Sequence, residues 1–346
     1  MFLRENRDVP GGRIAGLGTY LPDRILTSEE LEDKIRRDGV AVMADGFIER
    51  VTGVKTRHVA AATENASDLA EIASRSALED AGISVGDVEL LIFAAASHDV
   101  IEPATASILQ AKLGADHAET FDVKNACNSF ASALDVANAY VRSGLARVVL
   151  VATGEIPSRA IDLHFTSQKD MMAKFAHLTV GDAGGAVVVT AAAEPGQGII
   201  ATGGLTRGEM WHLGTILSGG TMFPRDLSPQ RAYLRNRGCE LEECARVEMP
   251  PVVRTVLDAA GWTPESVDVV AMQQHTRKIV CEIVRMSGIP EDRAVLPLRH
   301  AGNAAAANIP LGLAQARDEG RLERQSRVML FGGSSGFSVV ISALCW

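Results

Sequence analysis

The chain carries one structural unit twice. FDVKNACNSFASALDVANAYVRSG followed by RVVLVATG has a counterpart in VLPLRHAGNAAAANIPLGLAQARDEG followed by RVMLFGGSSG. The two share a register: Cys127 precedes Gly144 by the spacing (144 − 127 = 17) at which Asn303 precedes Gly320 (320 − 303 = 17). Upstream, ELLIFAAASH ends at His98 and VDVVAMQQH ends at His275, at nearly equal distances before Cys127 and Asn303 (127 − 98 = 29; 303 − 275 = 28). A thiol, an amide and a histidine thus occupy related places in a duplicated fold. That arrangement predicts one centre built between two pseudo-symmetric halves, roughly 1–195 and 196–346, with the seam near AAAEPGQG.

Each half repeats helix, strand, polar loop, strand, buried helix and strand. Short apolar runs (ELLIFAAA, AVVVTAAA, VDVVAMQ) alternate with segments of helical period, which is the pattern of an α/β fold. ASDLAEIASRSALEDAG reads as a helix opened by Asn65 or Ser67 and closed by Gly82, with Leu69, Ile72, Ala73 and Ala77 on one stripe. Its partner in the second half is ARVEMPPVVRTVLDAAG. Between 155 and 250 the pattern thins into GGLTRGEMWHLGTILSGGTMFPRDLSPQ, which reads as loops and short helices walling a pocket.

With 346 residues and 47% hydrophobic content the chain can bury two fused half-cores. Its apolar runs fall short of the ~20 residues of a bilayer span, and MFLRENRDVPGG has no signal-like apolar stretch, so a soluble cytoplasmic protein is the expectation. Cysteines 127, 239, 244, 281 and 345 are odd in number and form no CxxC pair, which points to reduced thiols. A net charge of −9 argues against a nucleic-acid partner. The histidines show no metal-ligand spacing, and no metal or cofactor is expected. Gly181, Asp182, Gly184 and Gly185 precede a strand rather than a helix, so they read as a tight turn, not a phosphate cradle.

Phe130, Leu134, Ala137 and Val141 follow Cys127 at helical spacing, so the thiol sits where a buried helix begins. Unpaired amides and the positive dipole end there predict a lowered thiol pKa and a nucleophile. Cys281 and Cys345 read as core fillers.

These segments resemble the ketoacyl synthase III branch of the thiolase superfamily, from GRIAGLGTYLPDRILTSEELE nearly to Trp346. The landmarks are ERVTGVKTRHVA, FDVKNACNSF, TVGDAGGAVVV, HAGNAAAANIPLGL and FGGSSGFSVVISALCW. The resemblance implies a five-layered αβαβα thiolase-like fold, usually a homodimer, that carries acyl groups on Cys127. It places the active-site asparagine at Asn303. The family's histidine, counted back from Asn303 without a gap, falls on Gln273, and His275 lies two residues on. Thiol acyl transfer needs a proton acceptor and donor, which favours His275. The implied oxyanion donors are the backbone of Cys127 and the loop at Ser335 and Gly336. Acyl-CoA or acyl carrier protein would donate, and malonyl carrier protein would accept with loss of carbon dioxide, in fatty-acid or polyketide-type synthesis. The alternative reading hands the Cys127 acyl group to a hydroxyl, an amine or a second carrier.

An acidic carrier needs a cationic rim, for which Arg277, Lys278 and Arg285 are the candidates, extended by Arg231, Arg235 and Arg237. Phe47 and Val51 stand where the family often has Trp and Arg against the coenzyme A nucleotide, which leans toward a carrier-protein donor. Glu102 and Pro103, near the expected primer pocket, suggest an unusual primer.

Overall fold

A computed structural model of the chain describes residues 1–5, 10–39 and 44–346, so part of the polar N-terminal stretch lies outside the described residues. Two five-stranded sheets dominate. The first runs in the order Gly12–Tyr20, Ala183–Ala191, Val148–Glu155, Leu90–Ala94, Glu119–Val123. The second runs Phe2–Glu5, Gly198–Thr206, Ser338–Cys345, Arg327–Ser334, Val269–Met272. In each, a parallel inner pair continues through two antiparallel strands, so the duplication read from sequence is a duplication of topology.

The halves differ at their edges. Glu119–Val123 extends the first sheet in parallel, whereas only a bridge between Val270 and Ala294 marks that place in the second. Phe2–Glu5 pairs antiparallel with Gly198–Thr206, so the chain's first strand joins the second sheet and not the half defined as 1–195. Nothing in the local pattern of FLRE specifies that crossing.

Five layers follow from where the apolar faces go. Helices Ser129–Ser143 and Asn308–Asp318 lie between the sheets, in one core containing Leu134, Ala137, Ile309 and Leu313 with Ile92 and Val151 of the first sheet and Val269 and Leu330 of the second. Phe130, Leu134, Ala137 and Val141 are all buried, each large side chain contributing ~1.5–3 kcal/mol. Helices Ala66–Ala81 and Thr105–Leu113 cover the outer face of the first sheet. Gly238–Ala260 and Arg277–Met286 cover that of the second.

Helix Ala66–Ala81 starts at Asn65, whose N–H donates to Asp68 Oδ2 at 2.8 Å, and ends at Gly82 in the left-handed conformation. Leu69, Ala73 and Ala77 are buried as the stripe predicts, but Ile72 is exposed, and Ala66 and Ala70 take its place inward. Small residues win because the helix backbone nearly touches the sheet. A Cβ on Gly154, Gly16, Gly18 or Gly184 would stand 1.8, 2.2, 2.2 or 2.2 Å from a helix carbonyl oxygen.

Among the described residues no helix is long and apolar enough to cross a membrane.

Candidate active site

The carboxyl ends of the inner strands meet between the halves, and each half there holds the other's reactive loop. Ala126 takes a left-handed φ of 46°, which swings Cys127 to the start of helix Ser129–Ser143. Ser338 O of the second half accepts from Asn128 Nδ2 at 2.9 Å, and Ser334 Oγ of the same half donates to Asn125 O at 3.1 Å. Reciprocally, Gly181 N of the first half donates to Asn303 O at 3.1 Å, and Asn303 N donates to Thr179 O at 2.8 Å. A Cβ on Gly181 would stand 2.0 Å from Ala301 O, so the TVGDAGG turn needs glycine to let Asn303 approach. Asp182 in the same turn accepts from Ala60 N and Ser158 N, the structural role expected of that motif.

Cys127, Gln273 and Asn303 line one cavity of about 100 Å³. Asn303 Oδ1 accepts from Gln273 Nε2 (3.0 Å), Ala305 N (3.1 Å) and Asn308 Nδ2 (3.0 Å). With its oxygen so occupied, the Asn303 amino group is the end left to donate. Gln273 is also the side chain that hydrogen-bonds the Cys127 sulfur. The ungapped count was therefore the better guide to position: Gln273, not His275, stands against Cys127 and Asn303. His275 lines the same cavity, but its Nδ1 is paired with Glu242 Oε1 at 3.1 Å.

The expected lowering of the Cys127 pKa does not occur. Cys127 is half-buried in the wall of the cavity. Burial first, and then the charge of Glu155, push the thiol up to about 12, against the smaller opposing pull of its backbone amide and Gln273. Desolvation outweighs the helix end.

Glu155 is the residue that sequence reasoning missed. It closes strand Val148–Glu155, is fully buried, and accepts from Ala96 N (2.8 Å), Ser97 N (3.1 Å), Ser97 Oγ (2.8 Å) and Ala306 N (3.3 Å). It thereby ties the loop that ends in His98 to the segment just after Asn303. Burial raises its carboxyl to about 7 against those hydrogen bonds. A signal existed: in the register of the two copies Glu155 aligns with Ser335, a charged group at the end of an otherwise apolar strand.

Of the predicted oxyanion loop, Ser335 lines the cavity and Gly336 does not; Gly336 forms the turn, with a φ of 123°. His98, the counterpart of His275, sits 2.8 Å from Lys124 Nζ, and burial and that lysine lower its pKa. Arg277, Lys278 and Arg285 line one groove of about 650 Å³ with Arg50, Arg299 and Val51. Carboxylates interrupt it: Lys278 and Arg285 lie 3.9 Å from Glu282 and Glu291, and Arg299 lies 2.9 Å from Glu49. Arg231, Arg235 and Arg237 do not line this groove; Arg231 pairs with Asp226 and Arg237 with Glu240. Phe47 packs into a small core beside Ile48, leaving Val51 and Arg50 at the rim. Glu102 and Pro103 lie on the exposed segment that also carries Val100 and Ile101. All five cysteines are free, and no His, Cys, Asp and Glu cluster able to hold a metal occurs among the described residues.

Two sequence families match. Residues 121–208 fit that described as 3-Oxoacyl-[acyl-carrier-protein (ACP)] synthase III, and residues 257–346 fit its C-terminal counterpart. The chain is 34% identical over 336 residues to a beta-ketoacyl-[acyl-carrier-protein] synthase III of Rhodospirillum centenum, covering 96% of this chain and 98% of the relative. It is 33% identical over 329 residues to one of Methylococcus capsulatus, covering 94% and 96%. The crystal structure of 3-oxoacyl-[acyl-carrier-protein] synthase III from Aquifex aeolicus VF5 superposes with a TM-score of 0.85 at 30% identity, covering 97% of this chain and all of that one.

Proposed function

The chain belongs to the β-ketoacyl-[acyl-carrier-protein] synthase III family of acyl-transferring condensing enzymes, and from that premise we propose that Cys127 takes an acyl group from a CoA or carrier-protein thioester and passes it to the carbanion formed from malonyl carrier protein. The observation that carries this reading is the meeting of Cys127, Gln273 and Asn303 in one cavity between the halves. In loading, the sulfur attacks the thioester carbon and its proton leaves with the departing thiol. The backbone N–H of Cys127, with the Ser335 loop opposite, faces the developing oxyanion.

Decarboxylation then places negative charge on the malonyl thioester oxygen. Stabilising that charge requires hydrogen-bond donors and no proton transfer, so two amides suffice: the Asn303 amino group and the Gln273 N–H that turns from the Cys127 sulfur once acylation has made it a poor acceptor. Replacing imidazole by an amide at position 273 keeps the donor while removing a proton acceptor. The apolar walls, Leu241, Met249, Ile279, Ile283 and Phe337 among them, suit an aliphatic acyl chain.

Carrier protein is the donor and acceptor source that the groove at Arg277, Lys278 and Arg285 suits best, because an acidic surface pairs with separated cations. A homodimer joined along the open edge of Glu119–Val123, next to exposed Val100 and Ile101, fits the same reading.

The test is intact-mass spectrometry of wild type, Cys127→Ala and Asn303→Ala after incubation with acyl-CoA and acyl carrier protein, followed by a malonyl carrier protein chase. Wild type and Asn303→Ala should gain the acyl mass and Cys127→Ala should not. Asn303→Ala should lose ~10²–10³-fold in condensation, the usual effect of one such donor. Acylation that survives in Cys127→Ala refutes the assignment.

A further inference from the structure

The cavity has a second polar end, not absorbed by the condensation chemistry. His275 Nδ1 meets Glu242 Oε1 at 3.1 Å, and Glu242 is held in turn by Arg246, 3.3 Å away, which also pairs with Glu282 at 3.0 Å. Burial raises the Glu242 carboxyl, but the hydrogen bond from His275 and the nearby Arg246 guanidinium overcome it and hold the group below its ordinary value. With Nδ1 donating to that carboxylate, His275 Nε2 carries a lone pair. This Nε2 is buried and has no partner, and Asn236 Oδ1, also lining the cavity, is buried and has none either. Both flank Gly238, where a Cβ would stand 3.7 Å from Asn236 Oδ1 and 4.0 Å from His275 Nε2.

A buried polar atom without a partner costs ~1–3 kcal/mol, and here two acceptors line the cavity that also holds the Cys127 sulfur. Two acceptors in one cavity favour a substrate with two hydrogens to donate. A hydroxyl offers one; a primary amine offers two, satisfies both acceptors, and keeps its lone pair for the acyl carbon. Among the described residues lining the cavity, His275 Nε2 and Asn236 Oδ1 are the buried side-chain nitrogen and oxygen atoms without a partner.

We propose that the His275–Glu242 pair with Asn236 forms an acceptor station at which a small primary amine takes the acyl group from Cys127, giving an amide. This rests on the acyl-Cys127 step of the reading above and adds an activity to it. The amine nitrogen attacks the thioester carbon, the C–N bond forms and the C–S bond breaks. One N–H proton passes to His275 Nε2 and on to solvent, and the departing Cys127 sulfur takes a proton from water in the cavity and returns as a thiol. No oxidant and no decarboxylation are needed.

The enzyme is first loaded with butyryl-CoA or octanoyl-CoA, freed of excess donor, and shown by intact mass to carry one acyl group on Cys127. Butylamine, 1-butanol or buffer is then added and loss of the adduct is timed, with the N-butyl amide quantified. Butylamine should discharge the enzyme well above hydrolysis and faster than 1-butanol. His275→Gln should slow that discharge ~100-fold, the lower end of what a general base supplies. Glu242→Gln, which only orients the imidazole, should shift the pH profile of discharge without preventing loading.

Discharge by butylamine no faster than hydrolysis, or equal in wild type and His275→Gln, overturns the proposal and leaves the condensing reading standing. Faster discharge by 1-butanol overturns the choice of amine. If no adduct forms on Cys127 with any donor, the loading step fails and takes this proposal with it.

Discussion

Glu155→Gln tests the electrostatics of the site through stability. The carboxyl titrates at about 7 in the folded protein against an ordinary 4.5, because burial outweighs three N–H donors and one hydroxyl. Its folded pKa is raised, so the folded state holds the proton more tightly than the unfolded chain. The associated stability is fully present below pH 4.5 and is lost as pH rises to 7. At ~1.4 kcal/mol per unit, the 2.5-unit difference (7 − 4.5) amounts to about 3 kcal/mol, of which ~2.5 kcal/mol falls between pH 5 and pH 8.

Glutamine does not titrate, so the variant lacks this slope. It also brings an NH₂ against donors such as Ser97 N, which lowers stability by an amount independent of pH. Urea midpoints of both proteins at pH 5, 6, 7 and 8, at one protein concentration, give the difference directly, and contributions common to both cancel. Wild type should lose about 2.5 kcal/mol relative to the variant across that range. A difference constant to within ~0.5 kcal/mol would show that Glu155 stays ionised throughout, and the argument that burial dominates at this centre would fall.

Other consequences are simpler to read. Cys127, raised from 9.0 to about 12, holds ~10³-fold less thiolate at pH 8 than an ordinary thiol. Allowing for the greater nucleophilicity of a more basic thiolate, iodoacetamide should label it ~30-fold more slowly, with exposed Cys239 labelled first by peptide mapping. Arg277→Glu should raise KM for the carrier-protein substrate about tenfold at low salt with kcat little changed, and the effect should shrink above 0.5 M salt in steady-state assays. Gly154→Ala sets a Cβ 1.8 Å from Ala66 O and should destabilise by ~3 kcal/mol or more in urea titration, whereas Gly82→Ala, with open space and only a left-handed φ to strain, should cost ~1 kcal/mol.

The two copies were legible because their helices and strands are each specified locally. Period sets which face Ser129–Ser143 buries and Gly144 closes it, and the equal spacing to Gly144 and Gly320 reports one topology used twice. That Cys127 and Asn303 belong together followed from the register alone. Which side chain stands between them did not, since Gln273 and His275 are two residues apart in a short polar loop. The choice is made by Glu242, on a helix that no local pattern ties to that loop and that draws the imidazole away.

The thiol's ionisation shows the same division. A helix start near Cys127 is a property of the sequence around it, and by itself it favours a thiolate. The pKa is instead decided by protein drawn around the sulfur from both halves and by Glu155, which closes a strand 28 residues on (155 − 127) and is itself held by Ala96, Ser97 and Ala306. The sequence by itself determined the repeated framework and the pairing of Cys127 with Asn303, because periodic burial is encoded residue by residue. Only the tertiary structure decided the charge state and the side chains that face the sulfur, because desolvation and Coulomb terms sum over atoms that are distant in the chain and close in space.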